Sequence, residues 1–348
     1  MNRITQNDID HVLCHTNGLW EQLRDGRVFL TGGTGFFGKW LLETFLAANR
    51  KLALNASITV LSRNPSLFAE NAPYLARDPA MNLIEGDVRA FTMPEGNFTH
   101  VIHGAVDASL KLIQEQPLLI FDTIIHGARR VLEFSAARGV KKMLIISSGA
   151  VYGRQPADIS RLTEEYRGAP DFSDHYAVYG AALRAVETLC PSYSAKSSMQ
   201  IKIARGFAFV GPHLPLDMHF AIGNFILNAL SRNPIRIESD GTPLRSYLYA
   251  ADLAAWLWTI LLRGTPLHAY NVGSENAHSL AEIAALVAQC SGNSPEVIIA
   301  RKSDNSKPPD IYVPSTKRAQ IELDLKETIT LREAVQRTID FYRPFFKK

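Results

Sequence analysis

The sequence predicts an α/β fold, and three observations support this. An apolar, strand-like run over residues 28–31 leads directly into glycines at every third position, Gly32, Gly35 and Gly38. A helical pattern follows, and short apolar segments then alternate with amphipathic ones as far as residue 204. Because strands that alternate with helices form parallel sheets covered on both faces, we predict a Rossmann-type, doubly wound parallel sheet with a smaller C-terminal substrate lobe.

The strands of this sheet are predicted in short apolar runs, with amphipathic helices between them. The longest helix is predicted over residues 117–138, where apolar side chains recur at helical spacing and leave one side for solvent or a partner. After the first strand, the predicted strands are residues 58–61, 82–84, 100–103, 143–147 and 201–204.

The glycine-rich turn predicts a binding site for the pyrophosphate of a dinucleotide. Gly32 allows a tight turn, Gly35 lets backbone N–H groups approach phosphate, and Gly38 lets the next helix pack close to the strand. Phosphate would then lie at the positive end of that helix. Phe36 and Phe37 open the helix, so we assign them to the cofactor site with the glycines.

Beyond residue 204 the alternation loosens, which predicts a change of architecture. We predict a dinucleotide-binding domain from residues 26–205 and 243–273, and a smaller substrate-binding lobe from residues 206–242 and 274–348. Residues 1–25 are predicted to form an N-terminal helical extension. Substrate is expected in a cleft between the lobes, beyond the carboxyl ends of the strands.

Composition restricts the classes of function. The chain has 348 residues, 46% hydrophobic and 20% charged, which is typical of a soluble globular protein with a large core. Its formal net charge is +3 with acids and bases interspersed, so no nucleic-acid partner is expected. No apolar run approaches the ~20 residues that span a bilayer, so we expect no membrane association and a cytoplasmic location.

The cysteines fit a reducing compartment. Cys14, Cys190 and Cys290 are far apart and form no CxxC pair, so no disulfide framework is predicted. His11, Cys14 and His15 have the spacing of metal ligands on one helix. Because no second ligand cluster accompanies them, no metal site is predicted.

Two further segments carry candidate catalytic residues. Residues 145–153 place Ser148 at the end of a strand, and residues 176–187 place Tyr179 at the start of a helix. Together with the glycine turn, these segments resemble the extended short-chain dehydrogenase/reductase family, which comprises nucleotide-sugar epimerases, dehydratases and reductases. The resemblance covers nearly the whole chain.

The resemblance implies roles for individual residues. In such enzymes a tyrosine exchanges a proton with a substrate hydroxyl or carbonyl, a serine hydrogen-bonds the same oxygen, and a nicotinamide exchanges hydride. Tyr179 and Ser148 match the tyrosine and the serine, and Arg245 matches an arginine that meets the diphosphate of the sugar nucleotide. The other implied residues are Asp87, Val88, Gly104, Ala105 and Tyr179 toward the cofactor, and Ser148, Gly149 and Asn224 toward the substrate.

One position departs from the family pattern in a way that affects the chemistry. The family carries a lysine four residues after the tyrosine, and this chain has Leu183 there. Lowering the pKa of a phenol from about 10 to near 7 takes about 4 kcal/mol of preferential anion stabilisation, much of which that lysine supplies. Arg184 is rotated about 100° around the helix, so it does not simply substitute. A phenol that stays protonated favours reduction, in which it donates a proton.

A second departure concerns the residues after the serine. Family dehydratases carry an Asp-Glu pair there and the decarboxylase branch needs a glutamate nearby, whereas this chain has Gly149 and Ala150. Three alternatives remain open on the sequence: a reductase or epimerase with rearranged support, a 4,6-dehydratase-like enzyme, and a catalytically silent dinucleotide-binding protein.

The end of the second strand bears on the choice of nicotinamide cofactor. An acidic residue there would hold the ribose 2′-hydroxyl of NAD, whereas an arginine pairs with the 2′-phosphate of NADP. Ser62 and Arg63 stand at this point, so NADP is favoured and NAD remains possible.

The resemblance implies an NAD(P)-dependent oxidoreductase or epimerase. Its substrate would be a nucleoside-diphosphate sugar, with the keto or hydroxyl group at C4, in the synthesis of deoxysugars or surface-polysaccharide precursors. The helix over residues 117–138 and the helix after Tyr179 resemble those that pair two copies in this family, so a homodimer is expected.

Overall fold

A computed structural model describes residues 3–106, 110–218, 220–304 and 308–346. Strands and helices alternate through most of the chain. In chain order the strands are β1 (Arg27–Thr31), β2 (Ser57–Ser62), β3 (Met81–Glu85), β4 (His100–His103), β5 (Lys142–Ser148), β6 (Gln200–Gly206), β7 (Phe209–Val210), β8 (Ile235–Ile237), β9 (Leu244–Arg245), β10 (Leu248–Tyr249), β11 (Ala269–Val272), β12 (His278–Ser279), β13 (Val297–Ile299) and β14 (Ile311–Tyr312).

The helices differ widely in length, from single turns to about twenty residues. Short 3₁₀ helices cover Trp20–Leu23, Gly149–Tyr152, His175–Ala177 and Arg343–Phe345. The α-helices are α1 (Gln6–His15), α2 (Phe36–Leu52), α3 (Pro65–Asn71), α4 (Pro73–Ala76), α5 (Leu110–Glu115), α6 (Pro117–Ala137), α7 (Val178–Ser197), α8 (Ala221–Leu230), α9 (Ala250–Arg263), α10 (Leu280–Ser291), α11 (Lys317–Leu323) and α12 (Leu331–Tyr342).

The central sheet has seven strands in the order β11-β6-β5-β4-β1-β2-β3. The five neighbouring pairs from β6 to β3 are all parallel. From β1 the chain proceeds outward to β3 and then crosses to β4 on the other side, which creates a switch point at the carboxyl ends of β1 and β4. The predicted α/β fold with a doubly wound parallel sheet is confirmed.

The interior strands are buried on both faces, as parallel sheets require. Phe29 on β1 is fully buried, and its ring lies 4.5 Å from that of Phe134 on α6 and 5.5 Å from that of Phe91. The Phe98 ring completes the cluster, 5.2 Å from Phe134. Aromatic packing therefore joins α6 to the sheet.

The predicted elements agree with the observed ones except at their ends. The strand over residues 100–103 is confirmed without change, and the helix over residues 117–138 ends one residue earlier, at Ala137. The strand predicted over residues 143–147 extends to Lys142 and Ser148, because its parallel pairing with β6 continues through these polar residues. A periodic pattern of apolar residues cannot predict such positions, because only backbone hydrogen bonds extend the strand there.

The N-terminal extension is helical, as predicted, over Gln6–His15. The Thr5 side chain caps this helix by accepting from the Asp8 N–H. The Ile4 N–H donates to the buried carboxylate of Glu43 on α2 at 3.0 Å. These contacts attach the extension to the helix that follows the glycine turn.

The chain divides into two compact units. The first contains the described residues of 1–153, 169–206 and 254–270, and the second those of 154–168, 207–253 and 271–348. The assignment of dinucleotide binding to one part and substrate binding to the other stays a prediction.

The second unit contains three small sheets, namely β12-β9-β14, β13-β8 and β10-β7. Residues 154–168, which the sequence places in the first domain, group with this unit because Leu162 joins its backbone. The Leu162 N–H donates to Val313 O at 2.9 Å, and its carbonyl accepts from Ser315 N at 2.7 Å and from Asn271 Nδ2 at 2.9 Å. Among the helices described, none combines the length and apolarity that a bilayer crossing needs.

The aromatic cluster under β1 predicts a large effect of truncation on stability. Replacing the fully buried Phe134 by alanine should lower the free energy of unfolding by about 3–5 kcal/mol, because a cavity replaces its contacts with three rings. Urea unfolding followed by far-UV circular dichroism measures this. Leu67→Ala, on a side chain that is 52% exposed in the same unit, is the control and should stay within about 0.5 kcal/mol. Equal effects of the two substitutions would contradict the assigned core.

Candidate active site

The glycine turn follows β1 and is closely packed. Gly32 has a φ of +77°, and a Cβ there would lie 2.3 Å from the carbonyl oxygen of Gly104. A Cβ on Gly38 would lie 2.4 Å from the Gly32 oxygen. Both positions therefore require glycine, and their packing holds α2 against the carboxyl end of β1.

Gly35 is the N-cap residue of the 17-residue helix α2, and no side chain among the described residues caps this helix. A Cβ on Gly35 would meet only the Gly32 oxygen, at 3.5 Å, so the approach to the helix end is open. Phe36 and Phe37 begin the helix, with their rings 5.5 Å apart. An uncapped helix N-terminus with an open approach suits a phosphate group, so this turn fits the pyrophosphate of a dinucleotide.

The ends of β2 and β3 carry the charged residues of the predicted adenosine side. Ser62 is buried, and its hydroxyl accepts from the Asn64 N–H at 3.1 Å, while Arg63 is exposed. Asp87 accepts two hydrogen bonds from the Arg89 guanidinium, at 2.9 and 2.7 Å. These bonds, with a smaller contribution from the charge of Arg63, lower the pKa of Asp87 to about 2. Asp87 is therefore ionised at neutral pH, beside two arginines.

The turn after β4 is fixed to the end of β1. Thr31 accepts from the Gly104 N–H through its carbonyl at 3.1 Å, and from the Ala105 N–H through its hydroxyl at 3.3 Å. The same hydroxyl hydrogen-bonds His103 Nδ1 at 2.8 Å. Burial lowers the pKa of His103 to about 4, so this imidazole is neutral. Val88, the other predicted residue on this side, is buried.

The structure brings Ser148 and Tyr179 together, as the motifs predict. Ser148 is the last residue of β5, and Tyr179 lies in the first turn of α7. The Ser148 hydroxyl is close enough to the Tyr179 hydroxyl to influence its pKa. Burial raises the pKa of Tyr179 to about 12, although the neighbouring Ser148 hydroxyl lowers it. The phenol is therefore neutral at physiological pH and can donate a proton.

The side chains near Tyr179 on α7 supply no cation to it. Leu183 is 3% exposed and occupies the position of the family lysine. Arg184 turns away and donates to the carbonyl oxygen of Val151 at 3.1 Å. Burial and the neighbouring Ser148 hydroxyl account for the pKa of Tyr179, and no charged group among the described residues contributes. The geometry that the sequence predicts for Arg184 agrees with this arrangement.

A charged network that the sequence patterns did not predict connects β5 and α7, the elements that carry the candidate catalytic residues. The Glu187 carboxylate on α7 accepts from the Ser147 hydroxyl at 2.6 Å and from two nitrogens of Arg205 on β6 at 2.6 and 3.0 Å. Arg205 also donates to the hydroxyl of Tyr152 at 2.8 Å. Arg205 and Glu187 are 16% and 9% exposed. Since Ser147 precedes Ser148, the network fixes the end of β5 relative to α7.

The remaining predicted substrate residues have the following surroundings. Gly149 is buried at the start of the 3₁₀ helix after β5. Asn224 on α8 donates to the carbonyl oxygens of Met218 at 2.6 Å and Phe220 at 3.3 Å, which closes the turn before the helix. Arg245 on β9 forms an ion pair with Asp310 at 2.6 Å. Asn224 and Arg245 belong to the second unit, and their contacts with substrate stay predictions.

The chain resembles known proteins in sequence and in fold. UDP-glucuronic acid decarboxylase 1 of Xenopus tropicalis is 24% identical over 317 residues, which cover 91% of this chain and 72% of that protein. The UDP-glucose 4-epimerase of Thermus thermophilus, solved in complex with NAD, is 25% identical, with a TM-score of 0.74 over 91% of this chain and 99% of that one.

A third comparison concerns the fold alone. The UDP-glucose 4-epimerase of Thermotoga maritima, solved with UDP-glucose, has a TM-score of 0.78 at 19% identity over 92% of this chain and 100% of that one.

The model of the NAD dependent epimerase/dehydratase family matches residues 28–273, more than half of the chain. The resemblance to extended short-chain dehydrogenases/reductases is thus confirmed, and the chain belongs to the NAD-dependent epimerase/dehydratase family.

Proposed function

We propose that this protein reduces the carbonyl group of a keto sugar carried on a nucleoside diphosphate, with NADPH as the preferred cofactor. The observation that carries the proposal is that Tyr179 lies beside Ser148 with the buried Leu183, and no cation, in the position of the family lysine, while burial raises the pKa of its phenol. Such a phenol is a proton donor over the physiological range and a poor base.

The roles of the chain's own groups follow from this pair. The Ser148 hydroxyl hydrogen-bonds the substrate carbonyl oxygen and polarises it, and the Tyr179 hydroxyl donates its proton to that oxygen as negative charge develops. The turn from Gly32 to Gly38 would hold the pyrophosphate of NADPH, and this cofactor would supply the hydride for the carbonyl carbon. The product is an alcohol, and Tyr179 regains its proton from solvent.

The substrate class is supported by two features. Relatives that are similar in sequence are named for nucleotide sugars, namely UDP-glucuronic acid decarboxylase 1 of Xenopus tropicalis and the UDP-glucose 4-epimerase of Thermus thermophilus. Arg245, partly buried on β9, is the residue that we assign to the diphosphate, since a guanidinium pairs with phosphate oxygens bidentately.

Other reactions of relatives suit these residues less well. Decarboxylation and 4,6-dehydration use a carboxylate near the serine, and Gly149 and Ala150 have none. Epimerisation begins with removal of a hydroxyl proton, and burial raises the pKa of this phenol well above neutrality, so little phenolate is present at pH 7 to act as the base. Reduction avoids that step because it uses the neutral phenol.

The cofactor preference rests on the end of β2. Residues 62–64 contain no acid that would accept from a ribose 2′-hydroxyl, and the exposed Arg63 guanidinium is available for a 2′-phosphate. The family is NAD-dependent, so NADH is the second cofactor to test.

Removal of the Tyr179 hydroxyl should abolish turnover. Tyr179→Phe should lower kcat for the reduction of 4-keto nucleotide sugars by NADPH at least about 100-fold, because the proton donor is lost. Nicotinamide absorbance measures the rate, and fluorescence quenching by NADPH shows whether cofactor binding is retained.

The control for this experiment is Tyr176→Phe, on a tyrosine that is 45% exposed, which should keep full activity. Unchanged activity of Tyr179→Phe would refute Tyr179 as the proton donor. If the wild-type protein binds NADPH tightly but reduces no sugar in the panel, the protein is a dinucleotide binder and the proposed reaction is wrong.

The pH dependence of kcat for reduction should show the effect of leucine in place of lysine at position 183. In the wild type, the phenol stays protonated until the pH approaches its pKa of about 12. Ionisation of this group should therefore not lower kcat for reduction between about pH 6 and 9. Leu183→Lys should place a cation near the phenol, lower its pKa, and introduce a decline of reduction within that range together with faster oxidation of the alcohol. Leu183→Met should keep the wild-type profile. A wild-type decline with an apparent pKa near neutrality would contradict the neutral donor.

The role of Arg63 should appear in cofactor discrimination. Arg63→Ala should raise KM for NADPH about tenfold and change KM for NADH little, because only NADPH carries the 2′-phosphate. Initial rates with each cofactor measure this, and Arg129→Ala, on an arginine that is 64% exposed on α6, is the control. Equal effects on both cofactors would assign Arg63 to another role.

A further inference from the structure

The second unit contains one carboxylate between two arginines. Asp310 accepts from Arg245 Nη2 through Oδ2 at 2.6 Å, and Arg154 Nε lies 3.9 Å from its other oxygen. Arg154 is 82% exposed and Asp310 43% exposed, so solvent reaches this cluster. A cavity of about 340 Å³ opens beside it, lined by residues 154–157 and 308–310.

Arg245 does not depend on the Asp310 side chain for its position. Its Nη1 donates to the backbone carbonyl oxygens of Leu244 at 2.8 Å and Asp310 at 3.2 Å. These acceptors remain when the carboxylate is neutralised. The Asp310 carboxylate accepts from Nη2 of Arg245, and an incoming anion would accept from the same nitrogen. The carboxylate therefore competes with the anion for Arg245 and is not needed to position this side chain.

The displacement of this carboxylate should require little free energy. Ion pairs that solvent reaches contribute weakly to stability, because water screens them and side-chain order opposes them. A diphosphate carries more negative charge than one carboxylate and offers oxygens to two guanidinium groups at once. A diphosphate should therefore displace the Asp310 carboxylate from both arginines.

We propose that Asp310 is an internal competitor that occupies a diphosphate site, and that Arg154 is a second cation of this site beside Arg245. The diphosphate of the substrate displaces the carboxylate, and Arg154 and Arg245 then bind the phosphate oxygens. Asp310 thereby sets the affinity of the site for anions. The substrate class in this inference rests on the proposed function, whereas the competition between anions does not.

Neutralising Asp310 tests the competition without turnover. The full chain, saturated with NADP⁺ so that the glycine turn is filled, is titrated in a calorimeter with inorganic pyrophosphate, UDP and dTDP at low salt. Asp310→Asn should tighten binding about three- to tenfold, and Arg154→Gln should weaken it about three- to tenfold. The gain in Asp310→Asn should shrink at high salt, because it is electrostatic.

Asp340→Asn is the matched control, since Asp340 is also an exposed aspartate paired with an arginine, Arg343, at 3.5 Å. It should leave each Kd unchanged, and melting temperatures verify that every variant is folded. Weaker or unchanged binding by Asp310→Asn would overturn the competition, and unchanged binding by Arg154→Gln would remove Arg154 from the site. Tighter binding by Asp310→Asn in a protein that reduces no keto sugar would support this inference and refute the proposed reaction.

Discussion

The ion pair between Glu187 and Arg205 is the interaction on which the arrangement of the candidate catalytic residues Ser148 and Tyr179 depends. It joins α7 to the carboxyl end of β6, and the hydroxyl of Ser147 joins the same carboxylate to β5. Because both charges are largely buried, loss of either partner would leave the other uncompensated, which is far more costly than loss of an exposed pair. The distance between Ser148 and Tyr179 is therefore set by a charged contact two helical turns from the reacting groups.

Leu183 removes the cation that the family places near the tyrosine. A lysine at this position would share the site with Tyr179 and stabilise its phenolate, whereas a buried leucine adds only apolar surface. Burial is then the larger influence on the pKa of Tyr179 and outweighs the opposite effect of Ser148, so the proton stays on the phenol. In the reaction that we propose, the tyrosine beside this leucine acts as an acid, whereas a tyrosine beside a lysine can act as a base. Leucine at position 183 would thus favour the reductive half of a reversible reaction without any change in the fold.

Sequence patterns predicted the features that depend on local spacing. The glycine turn, the parallel strands and the Ser148–Tyr179 pair all follow from residues that are close along the chain or at the ends of neighbouring strands. The sequence did not reveal the partners of charged residues, because these lie far apart along the chain: 18 residues separate Glu187 from Arg205, and 65 separate Arg245 from Asp310. Strand ends were missed for a related reason, since backbone pairing at Lys142 and Ser148 leaves no apolar signal.

In the described part of the chain, Asp87 and Asp310 each lie near two arginines. Asp87 accepts from Arg89 and is influenced by the charge of Arg63, and Asp310 pairs with Arg245 and lies 3.9 Å from Arg154. A carboxylate placed in this way is attracted by both cations and opposes an anion that approaches them. A site of this kind would bind those anions whose charge and geometry exceed those of its own carboxylate. Such a site would bind its own ligand less tightly, but it would discriminate against small anions such as chloride or acetate, which offer less charge or a single contact.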